Sequence, residues 1–388
     1  MSDEEVLLEV TNAHLNTGLR GVPVGTCRTS FVTPTEGVHY CGYPIKELTN
    51  FSPEDIVYLL FNKELPNSQQ SMEIRADLAK RAKIPGDLVA VFRTLPKYGH
   101  PMDWLSVAIH TIGMWETTGD WKEDAMNLIA RMPRIMGLMY RVREGRDEDI
   151  PADDTSLSMV QRFVSTLDLD EIDNDKMERV IATYLVLHMD HGGGNLSTFT
   201  GKAIASSKAT VYSAIAGAMN ALSGPLHGRA NQSCLEFVLK IGTSDPIEVE
   251  KFVRGELAEK RPIFGFGHAV LRSEDPRATA QFALGEEICP DDENFKIIRT
   301  LREVAPRVLA ENPKIRNPNA NVDIASGALL HHVGLEDPTY YTTFFGWARV
   351  MGIGAQIVDE RTVFRGGKGT PLYRPKYYAE QQTLRHIE

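Results

Sequence analysis

One histidine, His227, stands in Ser223-Gly224-Pro225-Leu226-His227-Gly228-Arg229, where a long helical pattern stops; an apolar run, Cys234 to Leu239, resumes beyond it. A helix from Arg229 to Leu239 would set the ring near its N-terminus. The dipole there disfavours imidazolium, so the histidine stays neutral and can donate a hydrogen bond to a carbonyl that is turning into an enolate. The plainer alternative is a histidine that caps a helix or fills a gap.

Three further segments and one helix carry groups of the same kind. In His188-Met189-Asp190-His191-Gly192-Gly193-Gly194-Asn195 the glycines end a helix and let backbone approach a ligand. His188 and His191 would share a helix face, which allows either a metal pair or one packed and one ligand-binding histidine. The spacing is not His-Glu-x-x-His and no third ligand is near, so no metal is expected. In Phe264-Gly265-Phe266-Gly267-His268 the alternating Gly and Phe make a loop suited to an adenine ring and a phosphate chain. Arg272 and Arg277 follow it, and guanidinium binds carboxylate and phosphate bidentately. Asp323, in Asn321-Val322-Asp323-Ile324-Ala325-Ser326-Gly327, reads first as an N-cap and second as a carboxylate base whose pKa is raised by an apolar setting. Arg349 lies in an otherwise apolar helical run and needs an anion there, while Arg374 follows the flexible Gly366 to Gly369 stretch.

The elements that must position these groups are almost all helical. Apolar residues recur at helical spacing over 71–82, 87–95, 102–117, 123–145, 176–188, 203–222, 248–259, 278–289, 292–310, 324–332 and 341–361. Ser52-Pro53-Glu54-Asp55 opens another helix with an N-cap and a proline in the first turn. Two short strand-like runs, 26–32 and 37–41, flank the turn signal Pro34-Thr35-Glu36-Gly37, which predicts a small N-terminal hairpin. The fold class is therefore all-α with a minor β-hairpin. Breaks at Ser223-Gly224-Pro225 and around Asn317 to Asn321 mark off a smaller lobe with a hinge at each end.

With 388 residues, 42% of them hydrophobic, the chain can bury a large core in one or two domains. A net charge of -10 argues against a nucleic-acid surface. The acidic start, Met1 to Glu5, is not a signal peptide, and no apolar run approaches the roughly 20 residues that span a bilayer. Cys27, Cys41, Cys234 and Cys289 form no CxxC pair, so free thiols in a reducing cytoplasm are expected.

Together the GPLHG, GHAVLR-x-x-DPR and NVD-x-x-SG segments, in this order and spacing, resemble citrate synthase, and the resemblance covers nearly the whole chain. It implies a two-domain helical homodimer with a large domain over 1–224 and 331–388 and a small domain over 225–330. It implies that His227 hydrogen-bonds the thioester carbonyl of acetyl-CoA, that Asp323 removes a methyl proton, and that His268 polarises the ketone of oxaloacetate. His191, Arg277 and Arg349 would hold the dicarboxylate, with Arg374 reaching in from a partner subunit. Arg272 and the loop of Pro262, Phe264, Gly265, Phe266 and Gly267 would contact CoA, with no permanently bound cofactor. Position 192 is Gly where family members commonly carry Glu, and the interval from Arg349 to Arg374 is several residues longer than in many members. Propionyl-CoA in place of acetyl-CoA, giving 2-methylcitrate, is the near alternative. A non-catalytic CoA-binding paralogue or a metal hydrolase built on His188 and His191 are the distant ones.

Overall fold

Three short antiparallel strands open the structure, a computed structural model that describes residues 6–170 and 172–378. Strands β1 (Ser30–Thr33), β2 (Gly37–Tyr40) and β3 (Tyr43–Pro44) pair in that order, with Ser30 opposite Tyr40 and Thr33 opposite Gly37. The expected hairpin is present, narrowed at its start and extended by the short third strand. β2 is buried along its length, because the helices cover the sheet.

Helices make up the rest. The first ten are α1 (Ile45–Leu48), α2 (Pro53–Asn62), α3 (Ser68–Arg81), α4 (Leu88–Arg93), α5 (Pro101–Glu116), α6 (Trp121–Arg143), α7 (Met159–Leu167), α8 (Asn174–His188), α9 (Leu196–Ser206) and α10 (Val211–Leu222). Then come α11 (Ala230–Ile241), α12 (Pro246–Ala258), α13 (Pro276–Ile288), α14 (Glu293–Ala310), α15 (Asp323–His332) and α16 (Tyr341–Thr362). Ser52 caps α2 through the amide of Asp55, as its sequence predicts.

Two stretches depart from the periodicity. The single helix expected over 203–222 is two helices, because Lys208 adopts a left-handed φ of 66° and Thr210 caps a new start. α7 escapes the pattern altogether, although Ser158 and Gln161 form a capping box ahead of it. A third departure concerns Asp323. It is not a cap: Val322 occupies that position, and Asp323 is the first residue of α15.

α16 is the central element. It packs on α6, α8, α10, α2, α9 and α5, and nearly all its residues are buried. α11 packs on α14 and α15, α12 on α14, and α13 on α15. One contiguous apolar core runs through both groups of helices.

Candidate active site

The groups singled out in the sequence gather around four helix ends and one helix interior: the C-terminal end of α8, the N-terminal ends of α9, α13 and α15, and the middle of α16. α16 can lie against the segment after α8 because position 352 is glycine. A Cβ there would overlap the Met189 carbonyl oxygen and stand 3.1 Å from the Asp190 Cβ. Arg349 is one turn before Gly352 on α16 and only 4% exposed. Its guanidinium lies 4.8 Å from the Phe345 ring centroid. Its Nε and one terminal nitrogen are buried without a hydrogen-bond partner. A buried cation with unused N–H groups is costly unless an anion takes them. Burial lowers its pKa to about 10, with the Asp190 carboxylate opposing the fall.

Arg277 behaves differently. It is the second residue of α13, behind the cap Asp275, and the two form a buried pair, with Nε and a terminal nitrogen 3.0 Å and 2.7 Å from the carboxylate oxygens. Burial works against both charges, yet mutual attraction holds Asp275 below and Arg277 above its ordinary range.

The three histidines around these arginines are all kept neutral. Burial first, then Arg277 and Arg349, pushes His191 well below the ordinary imidazole range. Its ring is 5.4 Å from that of His268. His268 is also lowered, by burial and by Arg277. Its Nδ1 accepts from the amides of Val270 and Leu271, each at 3.0 Å. Being neutral, it must carry its proton on Nε2, which can then donate. His227 is the mirror case. Burial, then Arg349, lowers it to about 4, and its Nε2 accepts from the Ser197 amide at 3.1 Å. Its proton therefore sits on Nδ1. The helix terminus that meets this ring is that of α9, where Ser197 is the second residue, rather than that of the following helix α11 alone. Asn195 makes this contact possible by capping α9 through Thr198 and holding the Ser197 hydroxyl at 2.9 Å.

His188 takes no part in a shared face with His191, because α8 ends between them. It is buried, stacked at 4.0 Å on Tyr184, and its Nδ1 donates to the Tyr184 carbonyl. Among the described residues no group of three or more His, Cys, Asp or Glu could hold a metal ion.

Asp323 supplies the remaining group. Burial raises its carboxyl from 3.8 to about 6, and the attraction of Arg277 and Arg349 offsets this only in part. The segment carrying it is tied to the Gly–Phe loop: Asn321 donates to the Gly265 carbonyl at 2.9 Å and, through Nδ2, to that of Gly267 at 3.0 Å. Gly265 has a φ of 81°, and a Cβ there would come within 3.0 Å of Ile324 and Cys234. Only glycine lets this loop lie so close to the start of α15. Phe264 turns edge-on to Phe237 and Phe266 is half-buried, so these rings pack inward more than the alternating pattern suggests. Pro262 and Arg272 are exposed at the rim. Arg374 is exposed on the C-terminal segment.

Sequence reading passed over Asp190, Ser197 and Gln356. Asp190 is fully buried and accepts from the Thr29 hydroxyl, the His191 amide at 2.8 Å and the Gln356 amide at 2.7 Å. An acid between two histidines is the signal the sequence offers for Asp190. Nothing local marks Ser197 or Gln356.

Deprotonating a weak carbon acid requires a base of intermediate strength and a neutral donor at the acid's carbonyl. A half-buried carboxyl raised to about 6 and a neutral imidazole are groups of the kind such a step needs, so the fold and site define a helical protein with the makings of acid–base chemistry at carbon. Comparison with known proteins narrows the class. The family model described as citrate synthase, C-terminal domain, matches residues 18–376. The mitochondrial 2-methylcitrate synthase of Yarrowia lipolytica is 34% identical, over 94% of this chain and 83% of its own length. The mitochondrial citrate synthase of Saccharomyces cerevisiae is 33% identical, over 97% of this chain and 82% of its own. The crystal structure of citrate synthase from Thermotoga maritima superposes with a TM-score of 0.82 at 28% identity, covering 96% of this chain and 98% of that one. The chain belongs to the citrate synthase family.

Proposed function

We propose that this enzyme condenses acetyl-CoA with oxaloacetate and water to give citrate and CoA. The observation that supports this best is the complementary protonation of two neutral histidines. His227 accepts at Nε2 and offers Nδ1–H; His268 accepts at Nδ1 and offers Nε2–H. One donor serves the thioester carbonyl and the other the ketone. Asp323 takes a methyl proton, and the negative charge moves onto the thioester oxygen facing His227 Nδ1–H. The methyl carbon then bonds to the ketone carbon of oxaloacetate. As the carbon–oxygen π bond breaks, His268 gives its Nε2 proton to the new alkoxide. Water finally cleaves the thioester of citryl-CoA, releasing CoA and citrate. His191, Arg277 and Arg349 hold the oxaloacetate carboxylates, with the unused N–H groups of Arg349 as the principal anchor. Orienting both reactants in this way supplies much of the rate.

Pro262, Phe264, Gly265, Phe266, Gly267 and Arg272 form the CoA side, and Arg374 acts on the site of a second copy in a homodimer. The smaller lobe, 225–330, closes on the larger one, 1–224 with 331–388, when oxaloacetate binds; compaction in small-angle scattering would test this. No helix among the described residues is long and apolar enough to cross a membrane. Four free thiols suit a reducing compartment such as the cytoplasm, and localisation of the tagged full-length protein tests that placement.

The test of function is thiol release from acetyl-CoA with and without oxaloacetate. Release that requires oxaloacetate supports the condensation; release without it would mean a thioesterase. The similarity to a 2-methylcitrate synthase favours a second reading with propionyl-CoA, since one methylene is worth only about 1–3 kcal/mol in a pocket. A higher kcat/KM for propionyl-CoA in direct competition would establish it.

A further inference from the structure

α16 carries a second polar side chain toward the oxaloacetate loop. Gln356 is seven residues after Arg349, two helical turns on, and so lies on the same face. Gly352 lies between them, where the helix backbone meets Met189 and Asp190. Gln356 is 3% exposed, and its Nε2 donates twice: to the Asp190 carboxylate at 2.7 Å and to the Gly192 carbonyl at 3.2 Å. Those acceptors are the residues on either side of His191. A single amide thus brackets the histidine from the helix that carries Arg349.

The orientation of that amide is dictated by its surroundings. Turning it over would set its oxygen against the Asp190 carboxylate and leave two acceptors facing each other. In the observed orientation Oε1 is buried with no partner. Leaving a buried carbonyl unsatisfied is unfavourable, so what this side chain contributes here is its two donors. Asp190 in turn is anchored on its other side by the Thr29 hydroxyl, and the Gly192 amide donates to the Ser30 hydroxyl at 2.7 Å. The loop is therefore held between β1 and α16, and Gln356 is its only link to α16 among these side-chain bonds.

We infer that Gln356 is a positioning residue, which sets the spacing between His191 and Arg349 and so shapes the oxaloacetate clamp. The inference rests on the assignment of those two residues to oxaloacetate. It does not involve the CoA side, which comprises the 262–267 loop and Arg272.

The test is steady-state kinetics of full-length Gln356→Met and Gln356→Asn, with oxaloacetate and acetyl-CoA varied in turn. Met keeps the length and apolar packing without donors; Asn keeps the amide but is too short to reach both acceptors. Oxaloacetate KM should rise about 10- to 100-fold in both, the loss expected for hydrogen bonds that hold charged groups in place. The KM for acetyl-CoA should stay within about threefold and kcat should fall less than the oxaloacetate KM rises. An oxaloacetate KM within about threefold of wild type in either folded variant overturns the inference. So does an equal rise in both KM values, and so does failure of both variants to fold, which would make the residue purely structural. If the wild-type enzyme itself shows no oxaloacetate-dependent turnover, the functional reading fails instead.

Discussion

Replacing Asp323 by Asn should abolish turnover and, at neutral pH, make the protein more stable. A carboxyl whose pKa rises from 3.8 to about 6 on folding penalises its ionised form by roughly 3 kcal/mol, at about 1.4 kcal/mol per tenfold. The residue is only half-buried, and solvent screening reduces this to roughly 1.5 kcal/mol at the lower end. The sign follows from linkage. The folded pKa is above the unfolded one, so the folded chain binds more protons between the two values and stability falls as pH rises through them. The penalty is absent below about pH 4 and complete above about pH 6. Asn has the same shape and no charge, so it removes the penalty. Urea denaturation of wild type and Asp323→Asn, followed by circular dichroism at pH 4, 6 and 8, reads the effect. The variant should gain roughly 1.5 to 3 kcal/mol at pH 8, and the gain should shrink toward pH 4. A variant equal to or less stable than wild type at pH 8, or a difference that does not change with pH, would refute the claim that burial tunes this base. In the same series, wild-type kcat/KM should fall on the acid side with a midpoint near the raised Asp323 pKa of about 6.

Arg349→Met should raise the oxaloacetate Kd by about 100-fold or more while leaving the helical circular dichroism unchanged, because two buried N–H groups that wait for an anion are removed; calorimetric titration checks it. Asn195→Ala removes the cap of α9 and should cost about 1 kcal/mol of stability. It should also lower kcat, because the Ser197 amide that fixes the His227 proton loses its anchor; the two readouts come from melting curves and initial rates. Gly352→Ala forces α16 away from Met189 and should destabilise by about 1–3 kcal/mol. Its oxaloacetate KM should rise with little change in that for acetyl-CoA, since the displaced contact is on the loop of His191.

Much of the architecture is legible along the chain because helix starts are local. Ser52-Pro53-Glu54-Asp55 announces α2 by satisfying amides within four residues. The break after Ser206 is less legible, since Lys208 in a left-handed conformation and a Thr cap interrupt an apolar period that continues on both sides. Asp323 misleads for a related reason. An acid before an apolar helical run has the pattern of a cap, and only its placement one residue inside α15 frees the carboxyl for other work.

By itself the sequence determined which chemical groups are available and that helices would carry them: three histidines at loop breaks, an acid ahead of an apolar run, and an arginine inside one. Those are properties of residue type and spacing. Tertiary packing alone decided their states. Which nitrogen of His227 or His268 holds the proton depends on backbone amides that approach the other nitrogen, and for His227 that amide is 30 residues away. Arg277 is engaged by Asp275, whereas Arg349 keeps unused donors while the Asp190 carboxylate is bonded to Thr29 and Gln356. Charge, tautomer and free hydrogen-bonding capacity are set by what surrounds a group in a water-poor interior, and that surrounding comes from chain segments that meet only when the protein folds.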